Sequence, residues 1–258
     1  MIELFCKTNH GTDWVPRKGG DMANIRNEAE TKDIYKKVLT AATALFIQKG
    51  YERTSLMDIA NLSGVSKRII IYEMNSKEEI LVHLVAEFLD EVTEASDAVS
   101  KKLTDDKLLI FMANEVLQIY MAEMNEDMRN LYLAAYSMPK TSDAVLRRRS
   151  QMLYEQFGYL FPQFALKDYY ELEIATMGIM RAYMSVPCDM YFTMEAKVDR
   201  LLSTMLKIYD VDSKIVEETK EFMKKIDFEA VAKNKVADVF EELSIKKIIK
   251  SRKEKNNE

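Results

Sequence analysis

Residues 54–74 read TSLMDIANLSGVSKRIIIYEM, and the organisation of the chain can be worked out from them. Ser55 precedes an apolar run and is followed three residues on by Asp58, the hydroxyl-plus-acid pairing that caps a helix N-terminus. The spacing predicts a helix over 56–62 with Leu56, Ile59 and Ala60 on one side. Gly64 comes four residues after Ala60, Val65 is next, and a third helix is predicted from Ser66 or Lys67 with Ile70 turned inward. Two helices crossing at about 90–120° need a small residue at their contact, a turn residue free to take φ > 0, and aliphatics behind. Ala60, Gly64 and the Val65/Ile70 pair fill those roles in order, so residues 55–74 read as a helix-turn-helix. An αα-corner that binds nothing has the same spacing.

Helical periodicity extends in both directions. Upstream, from Thr31, the apolar stripe Ile34, Val38, Ala41, Ala42, Leu45, Phe46 ends at Gly50. Downstream, Ser76-Lys-Glu-Glu79 reads as a full capping box that opens a longer helix through Ile80, Leu81, Leu84, Val85 and Phe88, ending near Ser100. Further stripes are predicted over 108–124, 128–136, 144–159, 169–186 and 194–209, with Pro139, Pro162 and Pro187 between them. Asp168, followed by an acid at Glu171, reads as another helix cap.

Composition agrees. Only 7 Gly and 4 Pro occur in 258 residues, too few for the turns of a sandwich, a barrel or a Rossmann sheet, so the expected class is all-α. No stretch approaches the roughly 18 apolar residues of a membrane span, and two cysteines make no disulfide framework, which fits a cytoplasmic protein. Two histidines and no Cys pair leave no zinc site of the usual kind. There is no G-x-S-x-G elbow, P-loop, G-x-G-x-x-G or H-E-x-x-H, so no catalytic residue, cofactor or metal ligand is expected. Net charge is −5, yet residues 22–80 carry nine Lys/Arg against eight Asp/Glu while 81–258 carry twenty-five against thirty-one. Attraction to phosphate needs only a local positive face, because it decays over about 8–10 Å.

Taken together, Ile34–Phe46, Gly50-Tyr51, Thr54-Ser55, Asp58-Ile59-Ala60, Gly64-Val65-Ser66-Lys67 and Ser76–Ile80 resemble the DNA-binding domain of TetR-family transcriptional regulators. The resemblance covers about a fifth of the chain. It implies a three-helix DNA-binding domain (residues 31–78) and a helical effector-binding and dimerisation domain (79–212), in a homodimer on double-stranded operator DNA. By the same resemblance, Thr54 and Ser55 contact phosphate where helix dipole and N–H groups favour an anion. Ser66, Lys67, Arg68 and Ile69 face base edges, with Arg68 suited to guanine and Ile69 to a thymine methyl. Tyr72 and Lys77 match backbone-contacting positions. Five positions depart from the family pattern: Arg68, Ile69, Ile71, Glu73 and Met74. Ile71 removes a phosphate donor, and Glu73 sets a negative charge near a phosphate, a repulsion on the order of 1–3 kcal/mol.

Thirteen of the 17 methionines fall in 112–223, interleaved with aromatics. Flexible thioethers suit a pocket for a hydrophobic small-molecule effector, for which Phe111, Tyr120, Tyr136, Tyr154, Met177, Met180, Arg181 and Met184 are the expected lining. The same side chains also serve as core filler. Helices 169–186 and 194–209 are the expected dimer pair, with Ile174, Ala175, Gly178 and Ala182 permitting close approach. Residues 213–258 form a C-terminal helical extension with a basic tail. Residues 1–30 are expected to be a disordered extension or a mis-assigned one, since Lys18-Gly19-Gly20 can be encoded by a ribosome-binding purine run just before Met22. The reading is a ligand-responsive regulator, a repressor released from a pseudo-palindromic operator. The alternative is a helical ligand-binding or interaction protein whose helix-turn-helix no longer reads DNA.

Overall fold

The computed structural model describes residues 28–159 and 162–242, and among these every regular element is a helix. α1 (Glu28–Lys49), α2 (Leu56–Ser63) and α3 (Lys67–Met74) make a three-helix unit, from which α4 (Lys77–Ser100) runs into the rest of the molecule. α5 (Lys107–Glu123), α6 (Glu126–Ser137), α7 (Pro139–Phe157), α8 (Leu166–Ser185) and α9 (Met194–Ile208) form a bundle with α4. α10 (Ser213–Met223) and α11 (Phe228–Glu242) close over α5. The all-α expectation holds. The N-terminal arm before residue 28 and the basic tail lie outside the described residues.

Helix ends follow local chemistry, and three of them differ from expectation. At α2 the box is complete: Ser55 Oγ accepts the Asp58 N–H at 3.2 Å and the Asp58 carboxylate accepts the Ser55 N–H at 2.8 Å. At α4 only half forms. Ser76 Oγ accepts the Glu79 N–H at 3.1 Å, but the Glu79 carboxylate instead takes Lys140 Nζ at 2.9 Å, tying α4 to α7. α7 begins at Pro139 rather than near residue 144, since proline is pre-set for a first helical turn that needs no N–H. α8 begins before Asp168, whose carboxylate reaches back to the Ala165 N–H at 2.7 Å; the acid is the third residue of the helix and not its cap.

One continuous apolar cluster runs from Val38 on α1 to Val236 on α11. α5 is its axis: Met112, Val116, Leu117, Ile119 and Met121 are all fully buried. Each such side chain contributes about 1.5–3 kcal/mol, which explains why α5 is apolar nearly all round. The turn between α2 and α3 depends on Gly64 at φ +73°, a left-handed conformation, with Ala60, Val65 and Ile70 buried behind it.

Candidate nucleic-acid interface

The interface is built from the end of α1, the start of α2 and the outer face of α3. Thr54 lies between α1 and α2 and is 2% exposed. Its hydroxyl donates to the Gly50 carbonyl at 2.9 Å and faces that of Leu45 at 3.3 Å, closing the C-terminus of α1. The expected phosphate contact from this side chain is therefore corrected: a hydroxyl spent on buried carbonyls cannot reach solvent. Ser55 is exposed, but its hydroxyl donates to Asp58 Oδ2 at 2.7 Å while accepting the Asp58 N–H. Asp58 also pairs with Lys49 at 2.9 Å, and the Lys49 and Ser55 hydrogen bonds hold its carboxyl well below the usual carboxylate range. A fixed negative charge thus occupies the start of α2, where the resemblance places an anion.

α3 is capped by Ser66, whose Oγ accepts the Ile69 N–H at 3.4 Å. Its buried side is Ile70 and Met74, and its exposed side carries Lys67, Arg68, Ile71 and Tyr72, the last 59% exposed. Residues at i, i+1, i+4 and i+5 share one helical face, so this row is set by phase once Ile70 points inward. Ile69 is only half-exposed and packs against the core. The outward aliphatic of this row is Ile71, not the Ile69 expected to face the bases. Met57 on α2 is also 52% exposed and is absent from the sequence-based expectation; its phase, two residues before buried Ile59, was the available signal.

Lys77, at the first turn of α4, is half-buried. Its Nζ donates to the Tyr51 carbonyl at 2.9 Å and lies 4.0 Å from the centroid of the Tyr51 ring. Burial lowers its pKa, and burial beside Glu78 and Glu52 pushes the Tyr51 hydroxyl up to about 12. Lys77 is thereby anchored to the turn that follows α1 through one of its three donors.

The expected effector residues separate into two groups. Tyr136, Met177 and Arg181 line one groove of about 330 Å³ between α6, α7 and α8, together with Leu146, Ile174 and Gly178. Phe111, Met180 and Met184 are buried core, Tyr120 stacks on Phe228 at 5.6 Å, and Tyr154 is 41% exposed with its ring against Tyr169; none of these lines the groove. Ala175 and Ala182 are exposed on α8 along with Ile174 and Gly178. Among the described residues there is no cluster of three or more His, Cys, Asp or Glu able to hold a metal, and no helix long and apolar enough to cross a membrane.

A left-handed glycine turn between two short helices, the second showing basic and aromatic side chains outward, has the geometry of a helix-turn-helix. Residues 38–84 match the family model described as bacterial regulatory proteins, tetR family. The HTH-type transcriptional regulator TtgR of Pseudomonas putida is 31% identical over 98 residues, 36% of this chain and 47% of TtgR. The chain spans about half the length of the curated relatives it matches. The fold is that of RolR: its resorcinol complex aligns with a TM-score of 0.58 at 15% identity, covering 78% of this chain and 97% of RolR. RolR without ligand aligns at 0.51 and 18% identity, over 73% and 96%. Residues 38–84 are thus similar to the DNA-binding region of TetR-family regulators, and the body shares the fold of RolR.

Proposed function

We propose that the chain is a ligand-responsive, sequence-specific transcriptional regulator, a repressor that works in the cytoplasm as a homodimer on a pseudo-palindromic operator. The observation that carries this reading is the exposed row Lys67, Arg68, Ile71, Tyr72 on a helix whose opposite face is locked into the core. Arg68 offers a bidentate donor for guanine, Ile71 an apolar surface for a thymine methyl, and Lys67 and Lys77 counter-charges for phosphate. Two copies would set their α3 helices in successive major grooves about 34–36 Å apart. The exposed Ala175 and Ala182, small residues seven positions apart on α8, support a second copy packing there.

A hydrophobic small molecule in the body would act through α4. α7 grips α4 through the Lys140 N–H to Glu78 (2.8 Å), Lys140 Nζ to Glu79 and the Arg148–Asp90 pair, so movement of α7 is passed to the helix that carries Lys77. The effector releases DNA to the extent that it binds the two α4 settings unequally. Resorcinol, the ligand in the RolR complex, is a precedent of the right size.

The second reading, a helix-turn-helix that no longer reads DNA, is favoured by the ionised Asp58 at the start of α2 and by the inward-turned Thr54. Gel shift against the DNA upstream of the protein's own gene, with random competitor, separates the two. A regulator should show specific retention that falls steeply between about 50 and 200 mM salt. Equal retention of operator and competitor at low salt would leave the second reading standing.

A further inference from the structure

Inside the bundle, α5, α7 and α8 bring three charges together far from solvent. Glu115 and Glu173 are 0% exposed and Arg149 is 6% exposed. Arg149 Nη1 donates to Glu115 Oε1 at 2.6 Å and Nε to Glu173 Oε2 at 2.5 Å. Glu173 is saturated, since its Oε1 also accepts the Thr176 hydroxyl at 2.9 Å and the Tyr209 hydroxyl at 2.5 Å. The other side of the cluster is not. Arg149 Nη2, Glu115 Oε2 and the Tyr132 hydroxyl are buried with no hydrogen-bond partner. Each such group costs about 1–3 kcal/mol, and one guanidinium against two carboxylates leaves the centre one charge negative. Two of its neighbours are aromatic: the Phe111 ring lies 5.7 Å from the guanidinium, and Phe88 packs edge-on against Tyr132 at 5.3 Å.

The chemistry of the unfilled side selects what can enter. An anion would add to an excess of negative charge, and burial already pushes the Glu115 carboxyl upward. An ammonium has donors only, so it would leave Nη2 unfilled and crowd the guanidinium with a like charge. A hydroxyl both accepts and donates. We propose that this centre takes an uncharged, hydroxyl-bearing small molecule, its oxygen accepting from Arg149 Nη2 and its hydroxyl donating to Glu115 Oε2.

This proposal rests on the effector reading above and names the chemical class of that effector. The way in is the groove between α6, α7 and α8, whose inner wall includes Tyr136. The Tyr136 hydroxyl donates to Gln118 Oε1 at 2.7 Å, Gln118 Nε2 to Asn114 Oδ1 at 2.8 Å, and Asn114 Nδ2 to Thr93 Oγ1 on α4 at 3.0 Å. A molecule passing Tyr136 would break the first bond of a chain that ends on α4.

The test is calorimetric titration of the full chain, without DNA, with three probes of one size: phenol, benzoate and benzylamine. Phenol should bind saturably, and each charged probe at least tenfold more weakly. Glu115→Gln, which removes the excess charge while keeping the side chain's shape, should narrow the phenol-to-benzoate ratio at least fivefold. The proposal is overturned if benzoate or benzylamine matches phenol, if no probe saturates, or if a folded Glu115→Gln chain keeps the wild-type ratio. Should that variant not fold, the ranking on the wild-type chain decides alone. Failure here leaves the gel-shift result untouched, and loss of DNA binding leaves the probe ranking untouched.

Discussion

The two ends of α4 stand in contrasting polar environments. Around its start, on the α1–α3 unit, side-chain hydroxyls and carboxylates are satisfied by neighbours a few residues away: Ser55 with Asp58, Thr54 with Gly50, Ser66 with Ile69, Ser76 with Glu79. Further along, in the bundle, the polar groups that matter meet across long stretches of chain, as Glu115, Arg149 and Glu173 do, and part of their hydrogen-bonding capacity is unused. A surface that reads a rigid duplex gains from being fully formed beforehand, because every donor spent on a cap fixes the row that remains outside. An interior that receives a ligand gains from groups left unfilled until the ligand comes.

The largest expected effect tests the interior half of this contrast. Arg149→Met strands two buried carboxylates and should cost about 3–5 kcal/mol in denaturant unfolding. Adding Glu115→Gln and Glu173→Gln to the same chain should recover most of that loss; if the triple variant stays as unstable as the single one, the cluster is structural packing and not a charge site. Next, Arg68→Ala should weaken operator binding by about 1–3 kcal/mol in competition gel shift, leave binding to random DNA nearly unchanged, and leave the melting temperature alone. An equal loss on both DNAs would make Arg68 a phosphate contact instead.

A smaller effect is expected at the turn. Gly64→Ala forces a side chain into φ +73° and should lower stability by about 1–2 kcal/mol, with operator binding falling alongside as α3 loses its seat. The smallest is a pH effect on α4. Burial, with Glu91 and Asp90 nearby, pushes the Glu87 carboxyl up to about 7. A raised carboxyl binds its proton more tightly folded than unfolded, so its contribution is favourable below the unfolded value and is lost as pH rises through about 7. Glu87→Gln should therefore stabilise the chain by about 1 kcal/mol at pH 8, after allowing for screening, and by progressively less toward pH 5, as read by melting curves at the two pH values. A pH-independent difference would show that packing, not ionisation, sets the cost.

Much of the α1–α3 unit was legible because its signals are local. The Ser55/Asp58 box, Gly64 at the turn and the inward phase of Ile70 each involve residues within about one helical turn, and all appear as expected. Errors arose where a side chain's direction depended on a neighbouring helix. Thr54 turns inward because α1 ends beside it with open carbonyls, and Ile69 is drawn toward the core while Ile71 faces out. The body was far less legible. Its helices lie within a few residues of the expected stripes, yet only Tyr136, Met177 and Arg181 of the eight expected effector residues share a groove. The charged triad went unseen, although Glu115 is an acid among buried Met112, Val116 and Ile119. That misplaced charge was the available hint.

Helix content and the position of the turn follow from the order of residues alone, since caps, glycine freedom and a 3.6-residue period act over single turns of chain. Which hydroxyls remain available, which methionines are filler, and that Arg149 meets two glutamates 34 and 24 residues away were settled by the packing of the helices. Burial and long-range pairing are properties of neighbours in space, and no local rule can rank them before the bundle has closed.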